Sequence, residues 1–278
     1  MVPKLSRRRA GNWLALVPAC CLQLACANQL VFTSPPAGGG NYAIPDALCS
    51  VPLDAFGNCS GTVTPQTVTS DIAISMPGVT VAAGDSVFVN LLAFQYLSAG
   101  DLVATVTFTP TIGAPVSVDL FNRIVTFPGD PANIGDGVLF GGPETGGGNY
   151  TFDPLAINDL QTTAQGLGAT DGIPDSVAYF PVTAGDVAPS PSLNTAFTGM
   201  DISGTWTLSV TNYDPNGSGL PAPLGWTGNN FVGWQLSMAV DAPEPSYTAL
   251  EALLGLAVFG WRWRARRARA RPGRMNTA

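Results

Sequence analysis

The chain has 278 residues, of which 11% are charged, and its formal net charge is −7 at pH 7. It contains no histidine and its one lysine is Lys4, which excludes Ser-His-Asp, Cys-His and Schiff-base catalysis and zinc sites built on imidazole. Between positions 28 and 241 a single arginine stands against seventeen Asp and Glu, a net charge of about −16. A surface of that sign repels phosphate groups, so we expect no nucleic-acid partner.

Residues 1–27 have the pattern of a secretory signal peptide. The basic run Arg7–Arg9 precedes an apolar stretch, and Ala25 and Ala27 form the small-x-small arrangement that signal peptidase cuts. This pattern predicts cleavage after Ala27 and names signal peptidase as a partner. A twin-arginine signal and a lipoprotein signal at Cys26 are the alternatives, and the neighbouring residues fit both of them less well.

Residues 28–69 are predicted to form an irregular extension, in which Cys49 and Cys59 are the two cysteines that follow the signal peptide. One cysteine pair in an exported protein most simply forms a disulfide that closes a small loop. The alternative is a pair of free thiols.

Residues 70–241 are predicted to form an all-β domain, a jelly roll or β-sandwich of about eight antiparallel strands. Short runs of β-branched and aromatic residues are bounded there by Gly, Pro and Asp, and helical periodicity is nearly absent. The strands expected are Ile72–Met76, Ser86–Ala93, Leu102–Thr109, Val116–Phe121, Tyr150–Phe152, Gly204–Thr211 and Phe231–Val240.

Three of these strands alternate strictly between apolar and polar residues. Alternate side chains of a strand point to opposite faces, so the apolar set of each strand should be buried while the intervening Thr, Ser and Gln face out. The apolar sets are Leu102, Ala104, Val106 and Phe108, then Trp206, Leu208 and Val210, then Trp234, Leu236 and Met238.

Several segments form a pattern known from one family of modules, with an aromatic–Gly-Asp-Leu segment, a Tyr-Thr-Phe-Asp strand and a Gly-x-Trp-x-Leu run. These segments are Phe94–Leu102, Val116–Leu120, Asn149–Asp153, Phe197–Val210 and Gly233–Leu236. They resemble the P domain (P/Homo B) of proprotein convertases and of many secreted bacterial proteins, and the resemblance implies a β-sandwich accessory module. Gly204 is expected in a tight turn where a Cβ atom would collide, and Trp206 as a large core anchor.

A short acidic run suggests a metal site. The run Asp171-Gly172-Ile173-Pro174-Asp175 resembles the end of a thrombospondin type 3 calcium loop, so Asp171 and Asp175 are the candidate calcium ligands. An ordinary Asp-Gly turn is the alternative. A second acidic loop lies in the Gly-rich stretch 129–148, with Asp130, Asp136 and Glu144.

Residues 242–278 combine three features in a fixed order. The motif Pro243-Glu244-Pro245-Ser246 is followed by an apolar helix predicted to enter the membrane through residues 247–263, and then by an Arg-rich end. This arrangement resembles the PEP-CTERM sorting signal of exosortase-processed bacterial proteins. The resemblance implies recognition by an exosortase and removal of the tail near Pro243, Glu244, Pro245 and Ser246.

The predicted membrane helix is short. Its apolar part, Tyr247 to Trp261, would be about 22 Å long, whereas a bilayer core is roughly 30 Å thick. Glu251 also places a carboxylate within this run. Both features favour a transient anchor over a permanent one.

We therefore expect a non-enzymatic protein of the cell surface or extracellular matrix of a Gram-negative bacterium, with an inner-membrane intermediate before release. Its sandwich would be a binding or structural module, with an exopolysaccharide or another surface protein as partner. No cofactor is certain, and calcium is the one that the sequence allows. The alternatives are a calcium-stabilised adhesin or carbohydrate-binding protein and a glycoside hydrolase that uses carboxylates alone.

Overall fold

The computed structural model describes residues 28–35, 38, 40–54, 59–83, 87–124, 138–141, 147–167, 171–181, 193–215 and 228–241. These residues contain two short helices, α1 (Leu160–Gln165) and α2 (Leu193–Phe197), and a 3-10 turn at Ala99–Asp101. The strands are β1 (Asn28–Thr33), β2 (Tyr42–Ala43), β3 (Leu48–Cys49), β4 (Val63–Thr64), β5 (Gln66–Ile74), β6 (Thr80–Val81), β7 (Val87–Phe94), β8 (Leu102–Pro110), β9 (Val116–Asn122), β10 (Leu139–Phe140), β11 (Gly148–Phe152), β12 (Asn158–Asp159), β13 (Gly172–Ile173), β14 (Ala178–Phe180), β15 (Gly204–Asn212), β16 (Asn230–Phe231) and β17 (Gly233–Asp241).

The all-β class expected from the sequence is confirmed, and each of the seven predicted strands is present. The largest difference in bounds is at β5, which begins at Gln66 rather than at Ile72. In the first half of β5 the half-buried Val68 stands between the exposed residues Thr67 and Thr69, so the sequence gives only a weak apolar signal there. The last predicted strand is divided into β16 and β17 by a break at Val232.

The strands form two large sheets. Sheet 1 has the order β1-β17-β7-β11-β14-β12, with β6 paired to the end of β17, and sheet 2 has the order β5-β15-β8-β9. Sheet 2 is antiparallel throughout. In sheet 1, β14 is parallel to both β11 and β12, so the expected antiparallel arrangement does not extend to that edge.

The extension predicted to be irregular contributes to sheet 1. All six residues of β1 pair with β17, from Asn28 opposite Val240 to Thr33 opposite Gln235. Leu30 and Phe32 pack against the core, whereas Val31 is 57% exposed. Residues 28–69 therefore also hold β2, β3, β4 and the beginning of β5, in place of an irregular segment.

The two sheets share one hydrophobic core. The Trp234 indole of sheet 1 donates a hydrogen bond of 3.2 Å to the Ser70 carbonyl of sheet 2. Phe94 of β7 meets Phe121 of β9 edge to face, with ring centroids 6.2 Å apart. The three predicted apolar sets are fully buried, which confirms the alternation read from the sequence.

The two terminal segments predicted from the sequence lie outside the described residues, namely the signal peptide 1–27 and the tail 242–278 with its membrane run 247–263. Within the described part of the chain, none of the helices has both the length and the apolar character needed to cross a membrane. Asp130, Asp136 and Glu144 are also outside the described residues.

Candidate functional site

The outer surface of sheet 2 carries mainly hydroxyl side chains, and we call it the hydroxyl face. It arises because the buried faces of β15 and β8 are apolar except at Asn212, which leaves the alternate Thr and Ser side chains on the other side. Threonine suits this position because its β-branched side chain fits a pleated sheet. The hydroxyl face consists of Thr67, Thr69, Asp71, Ala73, Val103, Thr105, Thr107, Thr109, Ser117, Asp119, Asn122, Thr205, Thr207, Ser209 and Thr211.

Strand register places these side chains in rows that cross the sheet. Thr207 of β15 lies opposite Asp71 on one side and Thr107 on the other. Thr107 in turn lies opposite Ser117 of β9. The next row runs from Thr69 through Ser209 and Thr105 to Asp119. Hydroxyl groups occupy ten of the fifteen positions of the hydroxyl face.

Hydrogen bonds between strands order many of these hydroxyls. The hydroxyl oxygens of Thr67 and Thr211 are 2.8 Å apart, as are those of Thr107 and Ser117. The hydroxyl of Thr207 donates to the Asp71 carboxylate over 2.6 Å. Because a hydroxyl can donate one bond and accept two, each retains further capacity for a ligand or for water.

The hydroxyl face is uncharged except for Asp71 and Asp119. All of its members are exposed or half-exposed. Arg123, the single cation between positions 28 and 241, lies instead over the ring of Tyr213, with its guanidinium carbon 5.5 Å from the ring centroid. The face can therefore exchange hydrogen bonds with a neutral partner and repel an anionic one.

A pocket of about 290 Å³ lies at one end of sheet 2. It is bounded by the turn between β8 and β9 and by the segment that leads into β15. Ile112, which is 92% exposed, and Met200 supply apolar walls, while Asp201 and Ser203 supply polar ones.

Asp201 holds this end of the molecule together. Its carboxylate accepts hydrogen bonds from the backbone N–H groups of Gly78, at 2.7 Å, and Ser203, at 2.8 Å. These bonds lower the pKa of the Asp201 carboxyl, that from Gly78 having the larger effect. The carboxylate is therefore committed to positioning the backbone around the pocket.

A cluster of buried polar side chains lies where the 3-10 turn meets the end of β15. Tyr96, Asp101 and Asn212 are each fully buried. Burial raises the pKa of the Tyr96 hydroxyl well above its usual range, and the nearby charges of Asp101 and Asp214 raise it further. Tyr96 is consequently neutral at physiological pH, and we assign this group to the architecture of the core.

Asp46 lies at the surface, and its carboxyl is expected to make the stability of the fold depend on pH. Partial burial raises the pKa of the Asp46 carboxyl, and the charge of Asp214 raises it further. A carboxyl with a raised pKa in the folded state stabilises the fold only while protonated, so its contribution is lost as pH rises from about 4. We expect Asp46→Asn to stabilise the protein at pH 7 by less than about 1 kcal/mol, since the site is largely exposed.

Urea denaturation at pH 7 and pH 3 measures this effect. At pH 3 the carboxyl is protonated in both states, and the variant should match the parent. An Asp46→Asn protein that is less stable than the parent at pH 7 would show that the ionised carboxylate stabilises the fold.

The two cysteines singled out in the sequence form a disulfide, with Cα atoms 5.8 Å apart. Cys49 lies in β3 and Cys59 precedes β4, so the bridge closes the short hairpin made by these two strands. Such a bridge stabilises a small loop mainly by restricting the unfolded chain.

The two candidate calcium ligands accept hydrogen bonds from the neighbouring strands β10 and β11. The backbone carbonyl of Asp171 accepts a hydrogen bond of 3.1 Å from the N–H of Leu139. The Asp175 carboxylate accepts one of 3.4 Å from the N–H of Asn149. Among the described residues, no group of three or more Asp, Glu, Cys or His side chains is arranged to hold a metal ion.

Of the other predicted site residues, Ala25 and Ala27 at the signal peptidase site and Pro243, Glu244, Pro245 and Ser246 at the sorting site lie outside the described residues. The hydroxyl face was not predicted as a site, although the alternation of Thr and Ser in β8 and β15 is its sequence signal. No protein-family model matches the chain, and neither a curated protein nor a solved structure matches it.

Proposed function

We propose that this chain is a non-enzymatic protein, exported by signal peptidase and released by an exosortase, that acts at the cell surface or in the extracellular matrix. Its two-sheet body would be the working module, and the segments before and after it would serve delivery. The predicted localisation is an inner-membrane intermediate followed by the surface or matrix of a Gram-negative bacterium.

The placement of the two predicted cuts carries this proposal. Among the described residues, the first strand, β1, starts at Asn28 and the last, β17, runs to Asp241, so all of the described strands lie between the predicted signal peptidase site and the Pro-Glu-Pro motif. Processing at both sites would therefore leave every described strand of the two sheets intact. The Cys49–Cys59 disulfide supports passage through an oxidising compartment.

We also propose that the two-sheet body is a jelly roll of the P-domain type. The residues that carry the resemblance pack in its core, which supports the proposal: Trp206 stacks on Phe108 with centroids 4.4 Å apart, and Asp101 of the aromatic–Gly-Asp-Leu segment is fully buried. A module of this type would act in binding or as a structural element. The exposed hydroxyl face would be its interaction surface.

The C-terminal cut can be tested directly. We expect the protein recovered outside cells that contain an exosortase to end within residues 243–246, as read by mass spectrometry of its C-terminal peptide. The matched control is the same gene in cells from which the exosortase has been deleted, where residues 247–278 should remain.

A second control replaces Pro245 by alanine and should also leave the tail attached. Recovery of an intact C-terminus from exosortase-containing cells would overturn the sorting role. Turnover of a substrate that is lost on changing one aspartate would overturn the non-enzymatic role.

A further inference from the structure

We propose that the hydroxyl face binds a neutral polysaccharide chain. This inference rests on the binding role proposed above and names the chemistry of the partner. It follows from the chemical uniformity, the regular spacing and the charge of this one surface.

Hydrogen-bonding capacity is the first reason. Sugar hydroxyls donate and accept hydrogen bonds, as threonine and serine hydroxyls do, so the two surfaces are complementary without any charge. The rows repeat at about 4.8 Å between strands and about 6.8 Å along a strand. A polymer with a repeating unit can therefore form many similar contacts, each weak, that add through their linkage. The γ-methyl group of each threonine also offers an apolar contact to a sugar ring.

The composition of the face argues against other partners. Protein interfaces are centred on Tyr, Trp, Met and Arg, and none of these occupies any of the fifteen positions. Asp71 and Asp119 lie among the hydroxyls, and residues 28–241 carry a net charge of about −16, so an anionic polymer would be repelled.

The twist that four-stranded sheets ordinarily have favours a flexible chain over a crystalline surface. Neighbouring strands are rotated by about 20–25° in ordinary sheets, or roughly 60–75° across four strands. A rigid flat lattice, such as ice or crystalline fibre, could contact only a few rows of such a surface. A single soluble polymer chain can follow the twist and contact several.

Affinity electrophoresis in native gels tests this proposal, because it detects weak binding. The full chain would be run in a polyoxyethylene detergent, which carries no sugar, through gels containing dextran, hydroxyethyl cellulose or alginate. We expect at least one of the two neutral glucans to retard the protein and alginate to have no effect. Retardation by alginate alone, or by none of the three, would overturn the proposal.

Paired variants locate the binding surface. Thr107→Val with Thr207→Val removes two central hydroxyls and keeps the β-branched shape. The matched control is Thr33→Val with Thr151→Val, on sheet 1. We expect the dissociation constant for the glucan to rise about fivefold or more in the first pair and less than about twofold in the control. An equal effect of both pairs would overturn the assignment to the hydroxyl face.

A measurement without substitutions guards against misfolded variants. Adding the glucan to the parent protein should shift the threonine methyl signals of β5, β8 and β15 in NMR spectra and leave Thr33 and Thr151 unchanged. Shifts confined to Thr33 and Thr151, or inhibition of ice growth without glucan binding, would overturn the proposal. Release of new reducing ends from the glucan would instead contradict the non-enzymatic role, whereas a failure to bind would leave that role intact.

Discussion

Replacing Trp206 by alanine is expected to lower the free energy of unfolding by about 4 kcal/mol, which is a large fraction of the stability of a domain of this size. Trp206 is fully buried in β15, the strand between β5 and β8. Its ring stacks on Phe108 and meets Phe197 edge to face, with centroids 4.4 Å and 4.8 Å away. Its indole N–H also donates to the carbonyl of Ile202. Alanine would remove all of these contacts and leave a cavity between the sheets.

Urea denaturation followed by circular dichroism measures the change, and Trp206→Phe is its control. Phenylalanine keeps the aromatic stack and loses the N–H and part of the volume, so we expect a loss of roughly 1–2 kcal/mol. This milder variant gives a measurable midpoint even if the alanine variant does not fold. Equal stability of parent and alanine variant would show that the packing around β15 contributes little.

Replacing Gly204 by alanine is expected to destabilise the protein by about 3 kcal/mol, because no space exists for a Cβ atom. A Cβ at this position would collide with the carbonyl oxygen of Thr109 and would lie 2.8 Å from the Phe108 ring and 3.0 Å from the Pro110 Cα. Two of these three obstacles are backbone atoms of the neighbouring strand β8, so a side-chain rotation cannot relieve the overlap. The collision predicted from the sequence is thus confirmed, although Gly204 begins a strand and does not lie within a turn.

Gly199 provides the matched control for Gly204. The φ angle is +76° at Gly199 and +155° at Gly204, and both values disfavour alanine, but a Cβ atom at position 199 would have no neighbour within 4 Å. We expect Gly199→Ala to destabilise by only about 1 kcal/mol, the effect of the backbone conformation alone. Thermal melting of the two variants separates collision from backbone strain. Equal losses at both positions would indicate that the β8 backbone moves aside at Gly204.

The strands that the sequence predicts are those whose two faces differ most in chemistry. In β8 and β15 the buried face carries apolar residues as large as Phe108 and Trp206, whereas the outer face carries mainly Thr and Ser, so the alternation with a period of two is clear. The sequence of β1 gives no clear strand signal, because the strand is short and because Val31 interrupts the alternation with an exposed apolar side chain. Its partner β17 lies more than two hundred residues away, and local pattern carries no information about such pairing.

The parallel edge of sheet 1 could not be predicted for a related reason. β11 and β14 are parallel because the chain between them crosses over through β12, α1 and β13, and short strands of two or three residues give no periodic signal. The proximity of Asp46 to Asp214 also arises only in the folded chain, where the N–H of Ala47 donates a hydrogen bond to the Asp214 carbonyl. The hydroxyl face, in contrast, could have been predicted, because its outward Thr and Ser residues follow from the same alternation as the core.

The pairing of Asn28 with Val240 has a mechanical consequence. The chain enters β1 and leaves β17 at the same end of an antiparallel ladder, so a force pulling these two points apart would act across the hydrogen bonds. The six residue pairs between β1 and β17 would then separate one after another, and they would not share the load as they would in shear. A tensile load applied between its two ends would therefore peel this domain open at low force. If the protein transmits tension, that tension must enter through another surface.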